Sequence, residues 1–342
     1  MTVNRKAALS LTAIAIAVFM VTLFCPTTGA WAGAKEYHWK IAHIRPEGSP
    51  IDKDLRAFAE KIKERSNGRI IIDVYPANQL GDYTVVQERI SVGAVEMACQ
   101  CLSTAKDKRL LIQYMPYLAR NWDEAKKIFA SNSPLIKSIN EMMKKEDIKI
   151  IATYPVYFGG IATTKKVTDP EKMHANKKTK IRVPTIKSFS LLADEWGYMG
   201  TPLAWADIFT SLQTGVVDGA IGSGAEGIYA TLRDLIKYYY VVNDHFENWF
   251  LIINNETWED LSPEDQKLIE ASATEMQDKR FEIAESQEQE YIQKLRDHGV
   301  EVVTFTPEQL SLFAEETRKN IWPQLKDEIG EELIESSLNS LK

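Results

Sequence analysis

The chain has 342 residues, with 41 basic and 48 acidic side chains and a formal net charge of −7 at pH 7. Its length allows two domains of ordinary size with a large buried core. Acidic residues are in excess, and the sequence has no basic cluster that could offset the electrostatic cost of holding nucleic acid. We therefore expect a globular protein with no nucleic-acid partner, in which any anion site is a local exception.

The first 34 residues have the pattern of a secretory signal peptide. Arg5 and Lys6 precede an apolar stretch from Ala7 to Phe24, and small residues follow at Ala32 and Ala34. Such a peptide is cleaved on export, here after Ala32 or Ala34. The stretch is also long enough for an uncleaved membrane anchor, which is the alternative. We expect a mature protein in the periplasm that is not itself embedded in the membrane.

Cysteine and histidine patterns indicate neither a disulfide nor a metal site. Cys99 and Cys101 stay in the mature chain, and a bridge across a single intervening residue is sterically unfavourable. The histidines, none of which has metal-ligand spacing, are His38, His43, His174, His245 and His298. We predict no metal and no cofactor.

Strand and helix patterns alternate along the first half of the chain. A strand is predicted at Tyr37 to Ile44, a helix from Ser49-Pro50, and a strand at Arg69 to Tyr75. Another helix begins after Gly81-Asp82, and Val95 to Cys101 form a further strand. This alternation is typical of an α/β sheet protein.

Two features of the second half predict two lobes. Strands at Ile148 to Thr153 and Ile161 to Val167 flank Gly159-Gly160, a pair that absorbs backbone rotation, so we predict a hinge there. From Pro263 to about Asp297 the chain has no glycine or further proline, which predicts one helix of ~35 residues, about 50 Å long. Such a helix is longer than a small domain is wide and should span both lobes.

The segment Gly222 to Gly227 matches G-x-G-x-x-G, the phosphate-binding pattern of dinucleotide enzymes. It follows the apolar run Val216 to Ile221 and precedes a helical pattern, although Asp218-Gly219 interrupts the strand. An exported dinucleotide-binding oxidoreductase is therefore the alternative function. No other nucleophile or carboxylate pair stands out from an ordinary surface pattern, so we predict that the protein is not an enzyme.

The strongest candidate for a ligand site is the segment Lys180-Ile-Arg-Val-Pro184. Because Pro184 ends ladder pairing, Arg182 lies where a short β-branched strand becomes a loop. A guanidinium matches a carboxylate through two parallel hydrogen bonds. We therefore predict that Arg182 is the main anchor of an anionic ligand.

Several short segments, taken in order, carry a resemblance to one protein family. They are Phe58-Ala-Glu-Lys61, Ser66-Asn-Gly68, Tyr75-Pro-Ala-Asn-Gln-Leu-Gly81, Gly93-Ala-Val-Glu96, Lys180-Ile-Arg-Val-Pro184, Leu212-Gln-Thr-Gly-Val-Val-Asp-Gly219 and Leu261-Ser-Pro-Glu-Asp-Gln266. In this order and spacing they resemble the periplasmic solute-binding proteins, of DctP type, of the tripartite ATP-independent periplasmic (TRAP) transporters.

This resemblance implies an α/β fold of two lobes with an interlobe cleft and a long helix that spans both. Residues 1–34 are then the signal peptide, 35–158 plus 248–287 the first lobe, and 159–247 plus 288–342 the second. The family captures a small organic acid anion between the lobes and delivers it to membrane permease subunits. We expect a monomer.

The resemblance also suggests roles for individual residues. Arg182 matches the family's carboxylate-clamping arginine, and Trp205 lies where sialic-acid-binding members place an aromatic ring. Ile161 stands where those members have a second arginine, and Gly222 replaces an asparagine that helps to hold the carboxylate. We therefore expect an aromatic or apolar-bodied acid, with a small hydroxy acid, keto acid or sulfonate as alternatives. The other predicted ligand contacts are Asp82, Cys101, Tyr157, Phe158, Thr185 and Ser223.

Overall fold

The computed structural model describes residues 35–341, so the predicted signal peptide lies outside the described residues. From Tyr37 onward the chain forms one compact unit. Within the described range there are ten strands, which are β1 (Tyr37–Ala42), β2 (Ile70–Tyr75), β3 (Met97–Gln100), β4 (Ile148–Thr163), β5 (Lys180–Val183), β6 (Met199–Pro202), β7 (Gly219–Gly224), β8 (Tyr238–Tyr240), β9 (Phe246–Asn254) and β10 (Glu301–Val303).

Eleven α-helices occur in the same range. They are α1 (Pro50–Arg65), α2 (Tyr83–Ser91), α3 (Trp122–Ile128), α4 (Pro134–Lys144), α5 (Lys187–Glu195), α6 (Ile208–Gln213), α7 (Ala225–Leu232), α8 (Asn255–Glu259), α9 (Pro263–Asp297), α10 (Pro307–Ile329) and α11 (Glu331–Asn339). Short 3₁₀ helices form at Lys108–Tyr114 and Trp205–Asp207. Over residues 35–341, no helix has both the length and the apolar character needed to cross a membrane.

One mixed sheet carries the fold, in the strand order β2-β1-β3-β9-β4-β7-β5-β6, and β8 pairs with both β4 and β10. Strand β4 pairs with β9 from Ile148 to Phe158, and then with β7 and β8 from Gly159 to Thr163. It therefore runs from one half of the sheet into the other. This arrangement is the predicted α/β fold of two lobes, while the residue limits of the lobes stay a prediction.

The two strands predicted on either side of Gly159-Gly160 are in fact one continuous strand, β4. Both glycines lie inside this strand, where neighbouring side chains pack directly on the backbone. A Cβ atom at Gly159 would lie 2.2 Å from the ring of His245, and one at Gly160 would lie 2.4 Å from Oη of Tyr239. Both positions need glycine because neighbouring side chains pack against the backbone, and the pair does not form a loop.

The long helix α9 has the predicted bounds, Pro263–Asp297, and contacts both halves of the sheet. Near its start, Arg65 of α1 donates to Glu275 over 2.8 Å. Farther along, the ring of Tyr291 lies 5.9 Å from that of Tyr229 on α7, centroid to centroid. The helix therefore packs across both lobes, as its length predicted.

Candidate functional site

A cavity lies where the ends of β1, β5, β7 and β9 come together. Its wall is mostly apolar, and the aromatic side chains that line it are Tyr83, Tyr114, Phe189, Trp205 and Phe246. The polar side chains that line it are Arg45, Gln113, Arg182, His245, Glu247 and Asn248. A concave space with apolar walls and a few convergent polar groups is the usual form of a small-molecule site.

Arg182, on β5, is a buried cation that the protein does not neutralise. It is 2% exposed, Nε donates to the carbonyl of Leu203 over 2.9 Å, and Nη1 donates to the carbonyl of Ile221 over 3.4 Å. Among residues 35–341 its guanidinium forms no ion pair with a carboxylate. Burial lowers the pKa of Arg182 to about 10, against the opposing effects of Tyr83 and Asp82. The group is therefore charged at neutral pH, and no carboxylate among the described residues is hydrogen-bonded to it.

Gly222, on the neighbouring strand β7, makes room for the ring of Pro184 beside this guanidinium. Its φ of +97° lies in the left-handed region that favours glycine. A Cβ atom there would lie 2.5 Å from Cγ of Pro184 and 3.6 Å from Nη1 of Arg182. Because β5 and β7 run parallel and adjacent, they bring the two segments of the predicted motif to one edge of the cavity.

Arg45, just beyond β1, is a second buried guanidinium at the cavity, and it was not predicted from the sequence. Nε donates to Glu226 over 3.1 Å, while Nη2 donates to Glu247 over 2.9 Å and to Oγ of Ser223 over 3.0 Å. Although burial opposes the charge, the carboxylates of Glu247 and Glu226 raise the pKa of Arg45 overall. The protein itself therefore satisfies the charge of Arg45.

The indole of Trp205 lies against both guanidiniums. Its ring centroid is 5.0 Å from Cζ of Arg45 and 5.3 Å from Cζ of Arg182, distances typical of cation–π contacts. The segment that leads into Trp205 is also held by Arg182, because the carbonyl of Leu203 accepts the Nε hydrogen bond. Trp205 is thus fixed as a wall of the cavity, where the resemblance predicted an aromatic ring.

Three further predicted residues lie around Arg182. Asp82 precedes α2, and burial raises the pKa of its carboxyl although Arg182 opposes that rise. Cys101 lines the cavity, and burial raises its pKa to about 12, so it is a neutral thiol at physiological pH. Thr185 is exposed, and its side chain lies close to Tyr83, which lines the cavity.

The structure places the other three aromatic or apolar candidates outside the cavity. Tyr157 donates its hydroxyl to Gln287 on α9 over 3.2 Å. The ring of Phe158 packs on Phe246, with centroids 5.1 Å apart, and Ile161 is 1% exposed in the core. All three lie on β4, whose central place in the sheet points their side chains into the core and onto α9. Sequence proximity to the site elements therefore misled the prediction.

The G-x-G-x-x-G segment covers the end of β7 and the first turn of α7, and protein groups fill the space around it. Oγ of Ser223 accepts from Arg45, and a Cβ atom at Gly227 would lie only 2.3 Å from that oxygen. The carboxylates of Glu226 and Glu247 both lie on Arg45 at this end of the helix and would repel a pyrophosphate. The geometry gives no support to the dinucleotide interpretation, because these glycines serve close packing.

A signal for Arg45 was present in the sequence. Arg45 is followed by Pro46 just beyond a strand, which repeats the logic that singled out Arg182 before Pro184. For Glu247 and Asn248 at the start of β9 there was no local signal, because their role depends on strands from distant parts of the chain.

Comparison with known proteins gives a consistent result. The family model of the bacterial extracellular solute-binding proteins, family 7, matches residues 41–327. The ectoine-binding periplasmic protein TeaA of Halomonas elongata is 26% identical over 334 residues, which cover 92% of this chain and 93% of that protein. The sialic acid-binding periplasmic protein SiaP of Vibrio cholerae is 24% identical over 75% of this chain and 79% of its own length.

A solved structure has the same fold. It is the sugar acid binding protein DctPAm from Advenella mimigardefordensis in complex with galactonate, with a TM-score of 0.82 and 18% sequence identity. The superposition covers 90% of this chain and 98% of that chain. At this level of identity the likeness concerns the fold alone.

Proposed function

The chain belongs to the bacterial extracellular solute-binding proteins of family 7, and we propose that it holds one small organic monocarboxylate with a flat, apolar body on Arg182. As a member of this family it is the solute receptor of a TRAP transporter for a small organic acid. Its role is to bind and release its ligand unchanged, without catalysis.

The observation that carries the proposal is the unneutralised charge of Arg182. The other deeply buried arginines are satisfied by the protein: Arg45 by two carboxylates, and Arg280 by Gln287 and the carbonyl of Pro155. Only backbone carbonyls accept hydrogen bonds from Arg182 within the described residues. A buried charge is stabilised when a partner of opposite sign completes its hydrogen bonds, and a ligand carboxylate supplies that partner.

The charges around the cavity favour a ligand with one carboxylate over a dicarboxylate. Arg182 provides one uncompensated positive charge, whereas Arg45 already faces Glu226 and Glu247. A second ligand carboxylate near Arg45 would meet Glu247, which also lines the cavity. Like charges in a buried space repel strongly. We infer that a dianion binds much more weakly than a monoanion of the same size.

The apolar wall favours a flat, unsaturated body. Tyr83, Tyr114, Phe189 and Phe246 contribute ring surface, and Trp205 stands next to the carboxylate anchor. A ligand ring against these side chains gains burial and about 0.5–1.5 kcal/mol per aromatic pair beyond burial. Sugar acids need donors and acceptors along their whole length, whereas most of this wall is apolar. An aromatic monocarboxylate therefore fits the lining better than a polyhydroxylated one.

Closure of the two lobes completes the proposed mechanism. The cavity residues come from β1 and β9 on one half of the sheet and from β5 and β7 on the other. When the halves close on a ligand, water leaves and the interaction between carboxylate and guanidinium becomes stronger. We propose that the closed, loaded receptor is a monomer in the periplasm and that it hands the ligand to the membrane permease subunits.

A thermal-shift panel tests this function. The purified protein is heated alone and with benzoate, lactate, pyruvate, succinate, galactonate or NAD. Ligand at 100 times its dissociation constant adds about 2.7 kcal/mol to the free energy of unfolding, so a true ligand raises the melting temperature clearly. We expect benzoate to stabilise the protein, succinate to do so far less, and NAD to have no effect.

The variant Arg182→Met is the matched control for that panel. A stabilisation that persists in this variant comes from binding elsewhere and contradicts the role of Arg182. Stabilisation by succinate or galactonate but not by benzoate would keep the receptor function and overturn the aromatic monocarboxylate. Stabilisation by NAD alone would overturn the receptor function itself.

A further inference from the structure

Two amide oxygens of cavity-lining side chains are hydrogen-bond acceptors without a donor. Gln113 is 4% exposed and Asn248 is 5% exposed, and both line the cavity that contains Arg182. Oε1 of Gln113 and Oδ1 of Asn248 are buried, and neither has a hydrogen-bond partner in the part of the chain that the structure describes. Buried acceptors in native proteins are nearly always paired, so two in one cavity require an explanation.

The orientation of both amides is fixed by the hydrogen bonds of their nitrogen atoms. Nε2 of Gln113 donates to the carbonyl of Leu110 over 3.0 Å, and Nδ2 of Asn248 donates to the carbonyl of Trp249 over 3.1 Å. Turning either amide over would place its oxygen against a carbonyl oxygen. In both side chains the atom without a hydrogen-bond partner is therefore the oxygen, which is an acceptor and not a donor.

These acceptors are complementary to a different part of the ligand from the part that Arg182 holds. The guanidinium of Arg182 offers only donors and suits a carboxylate. An amide oxygen repels a carboxylate and suits an O–H or N–H group. Gln113 lies on the 3₁₀ helix and Asn248 on β9, whereas Arg182 lies on β5, so the two kinds of group belong to separate elements of the wall.

We propose that the ligand carries at least one O–H or N–H donor on its apolar ring, and that Gln113 and Asn248 receive it. This inference rests on the proposed function, because it concerns the same cavity, and it narrows the ligand class to hydroxylated or N–H-bearing aromatic monocarboxylates. A site built around buried acceptors binds an analogue that lacks the donor more weakly, since the acceptors are then left unpaired. The two amides therefore select the ligand, and Arg182 anchors it.

Matched ligands and matched variants test the inference together. Calorimetric titrations measure the affinity of the wild-type protein for benzoate, meta-hydroxybenzoate, para-hydroxybenzoate and protocatechuate, which differ only in hydroxyl groups. The variants Gln113→Met and Asn248→Leu remove one acceptor each and nearly keep the side-chain volume. Melting temperatures without ligand establish that each variant is folded.

We expect at least one hydroxylated acid to bind about tenfold or more tightly than benzoate to the wild-type protein. In the variant that lacks the relevant acceptor, the advantage of the hydroxylated acid over benzoate should shrink to about threefold or less. If the amides only stabilised the fold, their variants would lose affinity for all four acids alike. A loss of the preference for hydroxylated acids therefore distinguishes the proposed role from a structural one.

Three results would overturn the inference. Equal affinity for benzoate and all hydroxylated acids in the wild-type protein contradicts it even if the variants do not fold. A hydroxyl preference that survives in both variants contradicts the assignment of Gln113 and Asn248. In these two cases the receptor function stands. If no acid of the series binds while another class of carboxylate does, the aromatic ligand class is wrong as well.

Discussion

Replacing Arg182 by methionine should separate the stability of the protein from its function. A pKa of about 10, against 12.5 for an ordinary arginine, means that burial disfavours the charged form of Arg182 by roughly 3 kcal/mol in the ligand-free protein. Methionine fills similar space without that cost, although the carbonyls of Leu203 and Ile221 each lose a hydrogen bond worth about 1 kcal/mol. The ligand-free variant should therefore be at least as stable as the wild-type protein.

Ligand affinity should change in the opposite direction. Truncating one member of a buried, hydrogen-bonded charge pair costs about 2–5 kcal/mol, which is roughly a 30- to 5000-fold rise in the dissociation constant. Isothermal titration of the tightest organic acid measures the affinity, and denaturant unfolding without ligand measures the stability. Affinity that stays within about threefold of the wild-type value would refute the role of Arg182.

Arg280 provides a buried control for this experiment. It is 1% exposed on α9, donates to the carbonyl of Pro155 over 3.1 Å and lies 4.9 Å from the ring centroid of Tyr154, outside the cavity. Arg280→Met should lower the free energy of unfolding and leave the dissociation constant of the folded protein unchanged. If both variants lose both stability and ligand affinity, ligand binding depends on the integrity of the core and is not specific to Arg182.

Three further substitutions give distinct expectations. Gly222→Ala should weaken ligand binding and lower stability, because the φ of +97° is unfavourable for alanine and the new Cβ meets Pro184. Arg45→Met should cost about 3–5 kcal/mol at neutral pH by leaving the buried carboxylate of Glu226 without its cation, and less at acidic pH, because burial raises the pKa of Glu226 and makes it easier to protonate. Glu288 has a pKa raised to about 7 by burial, against 4.5 for an ordinary glutamate, so the folded protein binds more protons than the unfolded chain between these values. Its contribution therefore lowers the free energy of unfolding by up to roughly 3 kcal/mol as the pH rises through that window, and Glu288→Gln should flatten this dependence.

Each of these expectations has its own check. Gly215→Ala is the control for Gly222→Ala, since Gly215 also has a positive φ but a Cβ atom added there would have no other atom within 4 Å, so the affinity of this control should be unchanged. A loss of stability in Arg45→Met that is independent of pH would contradict the ion-pair explanation. Urea unfolding between pH 4.5 and 7 tests Glu288, and an identical slope in the glutamine variant would refute its raised pKa.

Local sequence signals predicted much of the fold. Ser262 as a cap, Pro263 at the first helical position and Gly299 after the end fix α9, and the structure has the predicted bounds. The same kind of local signal identified Arg182, because a proline after a short strand marks the point where its ladder ends. Features that depend on neighbours within about five residues could be predicted from the sequence.

Features that depend on residues far away in the sequence could not be predicted. Arg45 pairs with Glu226 and Glu247, which lie 181 and 202 residues farther along the chain. Gly159-Gly160 suggested a hinge between two strands, but the pair lies within β4 and makes close contacts with His245, just before β9, and with Tyr239 on β8. The neighbouring strands decide which face of a central strand meets the cavity. The order of the strands depends on the whole sheet and cannot be read from one segment.

A crystal structure of the protein with its tightest organic acid tests the central claim most directly. The account predicts one ligand in the cavity, with its carboxylate oxygens within hydrogen-bond distance of the guanidinium of Arg182 and its ring against Trp205. A carboxylate held by Arg45, or a ligand bound outside this cavity, would contradict it.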